Sequence, residues 1–579
     1  MNQMKRNIIS IYIVALLAIW SCGEDFLQID PQGSIGTSTF ENATGVNLLV
    51  VNAYANLTEN GWGATPFNWT FGGIYGGDAN KGSDPGDQSV LNDLEMYNIL
   101  STNSYLNEKY TWTYKGVKRV NLALIAMAKA EDMAADMKKI RNGELHFLRA
   151  MFYFESIKVF GPKIPYFDET VTDNDPKIHN DKDIYPNVLA DIDIAIADLP
   201  ATQPEVGRAN VWAAKTLKAK ILMQKGDLAT AKPILLDVIT SGITSNNLKY
   251  GLEDDLNANW DALRENGKES IFAVQFSNDA ENNGNSGMSL AYPHNSGPGG
   301  CCGFYQPSFE LVNSFQVDAD GLPYLDNSYR TKPSVTNANP GEGDISLNNN
   351  TISVDPRLDF SIGRYGIPYK DWGLPKNDWV RNPVNGGVFL PKKHVYSKKE
   401  KDAGQVAIHD GWAPGSTMNL QYLSLRDVYL MYAETLADAG DLAGAMGYVN
   451  LIRARAAKPV NVVMKNGAPA APYLVKEYPA THAAFSDKAT TIQAVRFERK
   501  LELAMEGQRW FDLARWGGQY MATELGAYVD YEKNKIAKFT TATHLSAEKT
   551  VFPIPNTQIQ TMGNDPEGKP YLVQNEAWD

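Results

Sequence analysis

The feature that most constrains this chain is a stretch that occurs twice. Lys215–Ile239 carries Leu217, Ala219, Leu222, Gly226-Asp227-Leu228, Ala231 and Leu235. Tyr429–Arg453 carries Met431, Ala433, Leu436, Gly440-Asp441-Leu442, Ala445 and Val449, in the same register and without a gap. Apolar residues three and four apart on either side of a Gly-Asp break describe helix, tight turn, helix. The alanines fall where the two helices must approach closely. A hairpin used twice requires a helical scaffold, and the interval between the copies must hold something of another kind.

The pattern is that of a tetratricopeptide-like helical hairpin. Further helices are predicted near Val46–Leu57, Tyr110–Ala135, Arg141–Phe160 (stopped by Gly161-Pro162) and Asp183–Leu199, and Asn210 is placed to cap the first helix of the first copy. Residues 246–420 are rich in Gly, Asn, Pro and aromatics, with short strand candidates only at Ser270–Phe276 and Val388–Lys392. The expected fold is mostly α: a tetratricopeptide-like helical-repeat scaffold with an inserted loop-rich lobe containing short strands. Its segments are a signal at 1–21, an extended tether at 22–42, N-terminal helical units at 43–245, the lobe at 246–420, and a last helical unit with a C-terminal region at 421–579.

The start of the chain reads as an export signal. Lys5 and Arg6 precede an apolar run from Ile8 to Trp20, then Ser21-Cys22-Gly23. The run is shorter than the ~20 apolar residues a bilayer span needs. A cysteine at the cleavage point is where bacterial lipoproteins are cut and acylated, so Cys22 is the expected lipidation site. Such an anchor carries more than one acyl chain, enough for stable attachment. Glu24 and Asp25 follow it.

Net charge is −13, and removing a signal with two positive and no acidic residues takes it to −15. That argues against nucleic acid, where cationic contacts to phosphate dominate binding. Beyond Cys22 the cysteines are the adjacent pair Cys301 and Cys302, which can be a vicinal disulfide or two free thiols. Seven histidines are scattered without metal-ligand spacing. Asp318-Ala319-Asp320-Gly321 imitates part of a calcium loop but lacks the remaining ligands. No Gly-x-Ser-x-Gly elbow or phosphate-binding Gly loop occurs. The expectation is a binding protein with no enzyme activity, cofactor or metal.

Near the C-terminus, a helix from about Lys488 runs into Glu506-Gly507-Gln508-Arg509-Trp510-Phe511-Asp512-Leu513. Its charges lie at helical spacings among large apolar residues, so they read as a partly buried ion network rather than a catalytic pair at Glu502 and Glu506. The stretch Arg496–Leu513 closely resembles the hallmark of the SusD/RagB family, outer-membrane nutrient-binding lipoproteins of Bacteroidetes. Cys22 with Asp25-Phe26-Leu27, Leu148-Arg149-Ala150 through Phe160-Gly161, Gly207-Arg208-Ala209, Leu425-Arg426, Ala433-Glu434, Pro553-Ile554-Pro555 and Gln574-Asn575 extend the resemblance over essentially the whole chain. The chain departs from the family at Gly299–Phe304, so no ligand-contact tryptophan is carried over there.

The resemblance implies four tetratricopeptide-like units, a loop-rich lobe bearing the ligand site, and a lipid-anchored place on the extracellular face of the outer membrane. It also implies a TonB-dependent transporter of the SusC type as partner, with capture of an oligosaccharide or polysaccharide, or in some members a peptide. A tetratricopeptide scaffold that binds only proteins is the other reading. A glycan site wants aromatic platforms flanked by polar side chains. The loop candidates are Trp62, Trp69, Tyr75, Asp78 and Lys81 in a first loop, and Tyr292, Phe304, Tyr305, Trp372, Trp379 and Trp412 in the lobe. A Cys301–Cys302 disulfide would add a flat apolar face. Trp112, Trp212, Trp510 and Trp516 sit on predicted helices and are expected in the core.

Overall fold

The computed structural model describes residues 37–58, 61–171, 176–278, 286–336, 351–407 and 415–578. The signal, Cys22 and Trp412 lie outside them.

Eight helices form the scaffold: α1 (Ala43–Ala55), α2 (Ser104–Lys129), α3 (Ala135–Phe160), α4 (Tyr185–Asp198), α5 (Val211–Lys225), α6 (Leu228–Ser241), α7 (Leu425–Asp438) and α8 (Leu442–Ala456). Each packs against the next in chain order, including α6 against α7 across the interval between the two copies. Both copies are hairpins with the same turn. Gly226 and Gly440 take φ of 88° and 85°, a left-handed conformation that costs a residue with a Cβ. Asp227 and Asp441 then cap α6 and α8, accepting from Thr230 N at 3.1 Å and Gly444 N at 2.9 Å. Asn210 caps α5 through Ala213 N, as expected.

Copies far apart in sequence thus stand side by side. The reason is an antiparallel strand pair, β2 (Ser270–Val274) with β4 (Leu420–Ser424). The lobe leaves the scaffold along β2 and returns along β4, and Leu425 N donates to Glu269 O at 2.9 Å as the chain enters α7. One hydrophobic core runs from α1 through the lobe to the C-terminal region.

A second strand pair was not legible in sequence. β1 (Ala79–Gly82) pairs antiparallel with β3 (Phe304–Pro307), joining the first loop to the lobe. Only Leu390–Pro391 of the expected Val388–Lys392 strand is paired, with Ile362–Gly363. The C-terminal signature is also not one helix. It forms α9 (Lys488–Glu502), a turn, α10 (Arg509–Arg515) and α11 (Gly518–Glu532). The break comes where Met505 and Gly507 both take φ of 65°, bringing Gly507 against the backbone of Phe67 and Asn68.

Candidate functional site

Most of the loop residues expected to touch ligand do not face solvent. Trp69, Tyr75, Asp78, Lys81, Tyr292, Phe304, Tyr305 and Trp379 are each no more than 2% exposed. First loop and lobe are laid face to face by β1 and β3, and their rings fill the seam. Trp69 meets Phe304 and Tyr305 edge-on at centroid distances of 6.3 and 5.8 Å, and Tyr75 meets Trp510 at 4.6 Å. Such edge-to-face pairs add to apolar burial. These eight side chains present no free face to a ligand in this structure, which corrects the expectation placed on them.

Several of them instead fix what does reach the surface. Lys81 Nζ donates to the backbone oxygens of Asp84 and Asp87 at 2.8 and 2.6 Å, pinning the Ser83–Gln88 turn from below. Burial pushes the Lys81 ammonium down to about 8, against the pull of the Glu95 carboxylate. Asp78 accepts from Met505 N at 3.2 Å, and burial pushes its carboxyl up to about 7 although Arg509 opposes the shift. Trp379 donates from its indole to Ser296 Oγ at 3.2 Å, and its carbonyl accepts from His294 N at 2.8 Å. Tyr292 O accepts from Gly303 N at 3.0 Å. Together they hold the loop His294–Gly303, where the sulfurs of Cys301 and Cys302 are joined. Cys302 is buried and Cys301 half-buried.

What remains at the surface is a rim that follows the seam. It begins at half-buried Trp62, whose carbonyl accepts from the Trp69 indole at 2.8 Å. Next come Glu108, which accepts from Gly63 N at 3.3 Å, and Gln88, whose Oε1 accepts from the buried Tyr105 hydroxyl at 3.1 Å. Asp87 and Asp84 then meet Arg381 from the lobe at 2.7 and 2.8 Å. Gly303 lies against Arg381, leading to the cystine. The side chains of Asp84, Asp87 and Arg381 are 45%, 34% and 30% exposed, so all three are open to a ligand. Trp372 is half-buried in the lobe, its indole donating to Tyr396 O at 3.0 Å.

Glu108, Asp84, Asp87, Gln88 and Arg381 were not singled out from the sequence. Asp84-Pro85-Gly86-Asp87 is a readable turn signature. Nothing in the sequence marks Arg381 as its partner.

The C-terminal signature supports this arrangement from beneath. Glu498 pairs with Arg357 at 2.7 Å and Arg453 at 3.1 Å, Glu502 with Arg455 at 2.5 Å and Arg357 at 3.1 Å, and Glu506 with Lys393 at 2.9 Å and Arg426 at 3.0 Å. Burial alone would raise the Glu502 carboxyl, but Arg455 and Arg357 outweigh it and hold it at about 2. Glu502 and Glu506 therefore face separate cations. Arg499 pairs with Asp512 and Asp427, not with Glu502 one turn away. Trp112 and Trp510 are core, as expected, whereas Trp212 and Trp516 are half-buried. Among the described residues no cluster of His, Cys, Asp and Glu is placed to hold a metal ion, and no helix is long and apolar enough to cross a membrane.

The model of the SusD family matches residues 268–578, more than half of the chain. The chain belongs to the SusD family. A second family model, described as starch-binding associating with outer membrane, matches residues 38–223. A SusD-like protein of Formosa agariphila, P25, is 24% identical over 99% of both chains. In three dimensions this SusD-family chain is similar to a SusD superfamily protein from Bacteroides vulgatus, with a TM-score of 0.66 and 19% identity over 92% of this chain and 99% of that one. It is also similar to surface glycan-binding protein A from Bacteroides thetaiotaomicron in complex with laminarihexaose, with a TM-score of 0.59 and 19% identity over 92% and 99% of the two chains.

Proposed function

We propose that this protein captures an oligosaccharide or polysaccharide at the cell surface and delivers it to a SusC-like TonB-dependent transporter. In this reading it is held to the outer membrane by lipid on Cys22. The observation that carries the proposal is the rim: an indole at Trp62 and a cystine at Cys301–Cys302, with the Asp84–Arg381–Asp87 cluster and Gln88 between them. Flat apolar faces suit the C–H faces of a sugar ring, and fixed polar groups suit its hydroxyls. The rim is pre-formed, because the buried rings and Lys81 below it hold its turns, which lowers the ordering cost of binding. The relative solved with laminarihexaose supports a glycan as the class of ligand. Capture involves no bond making: Asp84 and Asp87 are paired with Arg381, and Glu502 and Glu506 with buried cations.

Native affinity electrophoresis in gels containing laminarin, starch or other polysaccharides tests the proposal. Retardation by at least one glycan is expected. Retardation by none, together with tight binding of peptides, would replace glycan capture with capture of another nutrient.

A further inference from the structure

A second pocket lies away from the rim, between α9, α11 and the turn Tyr324–Arg330. Its volume is about 40 Å³, room for one carboxylate or sulfate group, and it opens to solvent at its mouth. Arg509 lines it and is only 9% exposed, yet no hydrogen bond from its guanidinium is made to any described residue; its nearest carboxylate, Glu524, is 3.8 Å away. Arg496 lines the same pocket, and its Nε is buried without a hydrogen-bond acceptor. Both guanidinium groups lie against aromatic rings. Arg496 lies 4.5 Å from the Tyr520 ring centroid and 4.8 Å from that of Trp516, and Arg509 lies 5.9 Å from Trp516.

The third cation, Lys500, is satisfied by both oxygens of Glu310 at 2.9 and 2.8 Å. Arg509 is also faced by Asp78 and Glu310, and Arg330 approaches Glu524 at the same 3.8 Å, so Glu524 is shared between two guanidinium groups and is close to neither. A buried guanidinium without an acceptor is costly, and its planar donor fork matches an oxyanion. The mouth carries the amides of Asn327 and Gln493 and the ring of Tyr520. Amides and an aromatic face around a cationic floor suit a sugar residue bearing a negative group better than a bare ion.

We infer that this pocket binds an acidic sugar residue, with its carboxylate or sulfate ester on Arg509 and Arg496. The sugar class rests on the glycan-capture reading above; the anionic chemistry stands on the pocket alone.

Calorimetric titration of the full chain tests it, using a uronate-containing trisaccharide, a sulfated one, a neutral one, sodium sulfate and an acidic peptide. Both acidic trisaccharides, or one of them, are expected to bind at least about tenfold more tightly than the neutral one. Gln493→Glu at the exposed mouth and Arg496→Gln should each remove about tenfold of that affinity, with neutral-glycan retardation in gels unchanged. Should Arg496→Gln unfold, as thermal melting would show, Gln493→Glu decides alone. Equal binding of acidic and neutral sugars, or acidic-sugar binding untouched by Gln493→Glu, would overturn the inference. Sulfate binding as tightly as the sugars, or the peptide binding in their place, would overturn the sugar class. Acidic-sugar binding without any neutral-glycan retardation would sink capture at the rim and leave this pocket standing.

Discussion

In the hairpins α5–α6 and α7–α8, a residue's place follows from its neighbours three and four positions away. In the lobe it follows from whichever distant loop is laid over it. Both regions are rich in apolar side chains, but only the first announces where they go. Leu217, Leu222, Leu436 and Val449 are buried as their spacing requires. Trp69, Tyr292 and Trp379 lie in stretches with every mark of surface loops, and they are as buried as any leucine. A glycine-rich, aromatic-rich segment is therefore compatible with two fates, a platform for ligand or a plug for a seam, and the covering partner decides which.

The largest test of this contrast is Trp69→Ala. As a seam plug its loss should cost about 3–5 kcal/mol, read by denaturant unfolding. A cost below about 1 kcal/mol would return Trp69 to the surface and restore the platform reading.

The hairpins offer the complementary test. Gly226 and Gly440 have nothing near their missing Cβ positions, so Gly226→Ala and Gly440→Ala impose backbone strain alone, about 1–2 kcal/mol each. Equal losses would show that the two turns are physically the same element; a neutral change at either would separate them.

A smaller effect comes from Glu532 on α11. Burial pushes its carboxyl up to about 8, and the neighbouring Glu310 carboxylate adds to the shift. The folded state thus holds a proton that the unfolded chain releases in the ordinary carboxylate range. Its contribution to stability is complete below that range and is lost as pH rises through 8. Glu532→Gln should flatten the fall in stability between pH 7 and 9 by on the order of 1 kcal/mol. An identical slope in the variant would contradict the assignment.

Much of the scaffold was legible because its signals are local. The Gly-Asp turns, the Asn210 cap and the Gly161-Pro162 stop each need only a few adjacent residues. The helical break at Met505–Gly507 was hidden because its cause is Phe67, far away in sequence. The rim was half legible. Trp62 and the cystine were named from composition and context, and Asp84-Pro85-Gly86-Asp87 could have been read as a turn. The pairing of that turn with Arg381 depends on β1 meeting β3, two four-residue strands, Ala79-Asn80-Lys81-Gly82 and Phe304-Tyr305-Gln306-Pro307, too short to carry a strand pattern. The buried candidates were misjudged for the same reason, since exposure is a property of the assembled seam.

The central claim is that glycan is held on the rim by side chains that the buried seam only supports. Calorimetry of Trp62→Ala against a β-glucan oligosaccharide such as laminarihexaose, beside a thermal melt, tests it most directly if the wild type binds that sugar; otherwise the glycan that retards it in gels takes its place. Affinity should fall about tenfold or more, with stability changed by less than about 1 kcal/mol. Unchanged affinity in the Trp62→Ala protein, with its fold intact, would contradict it.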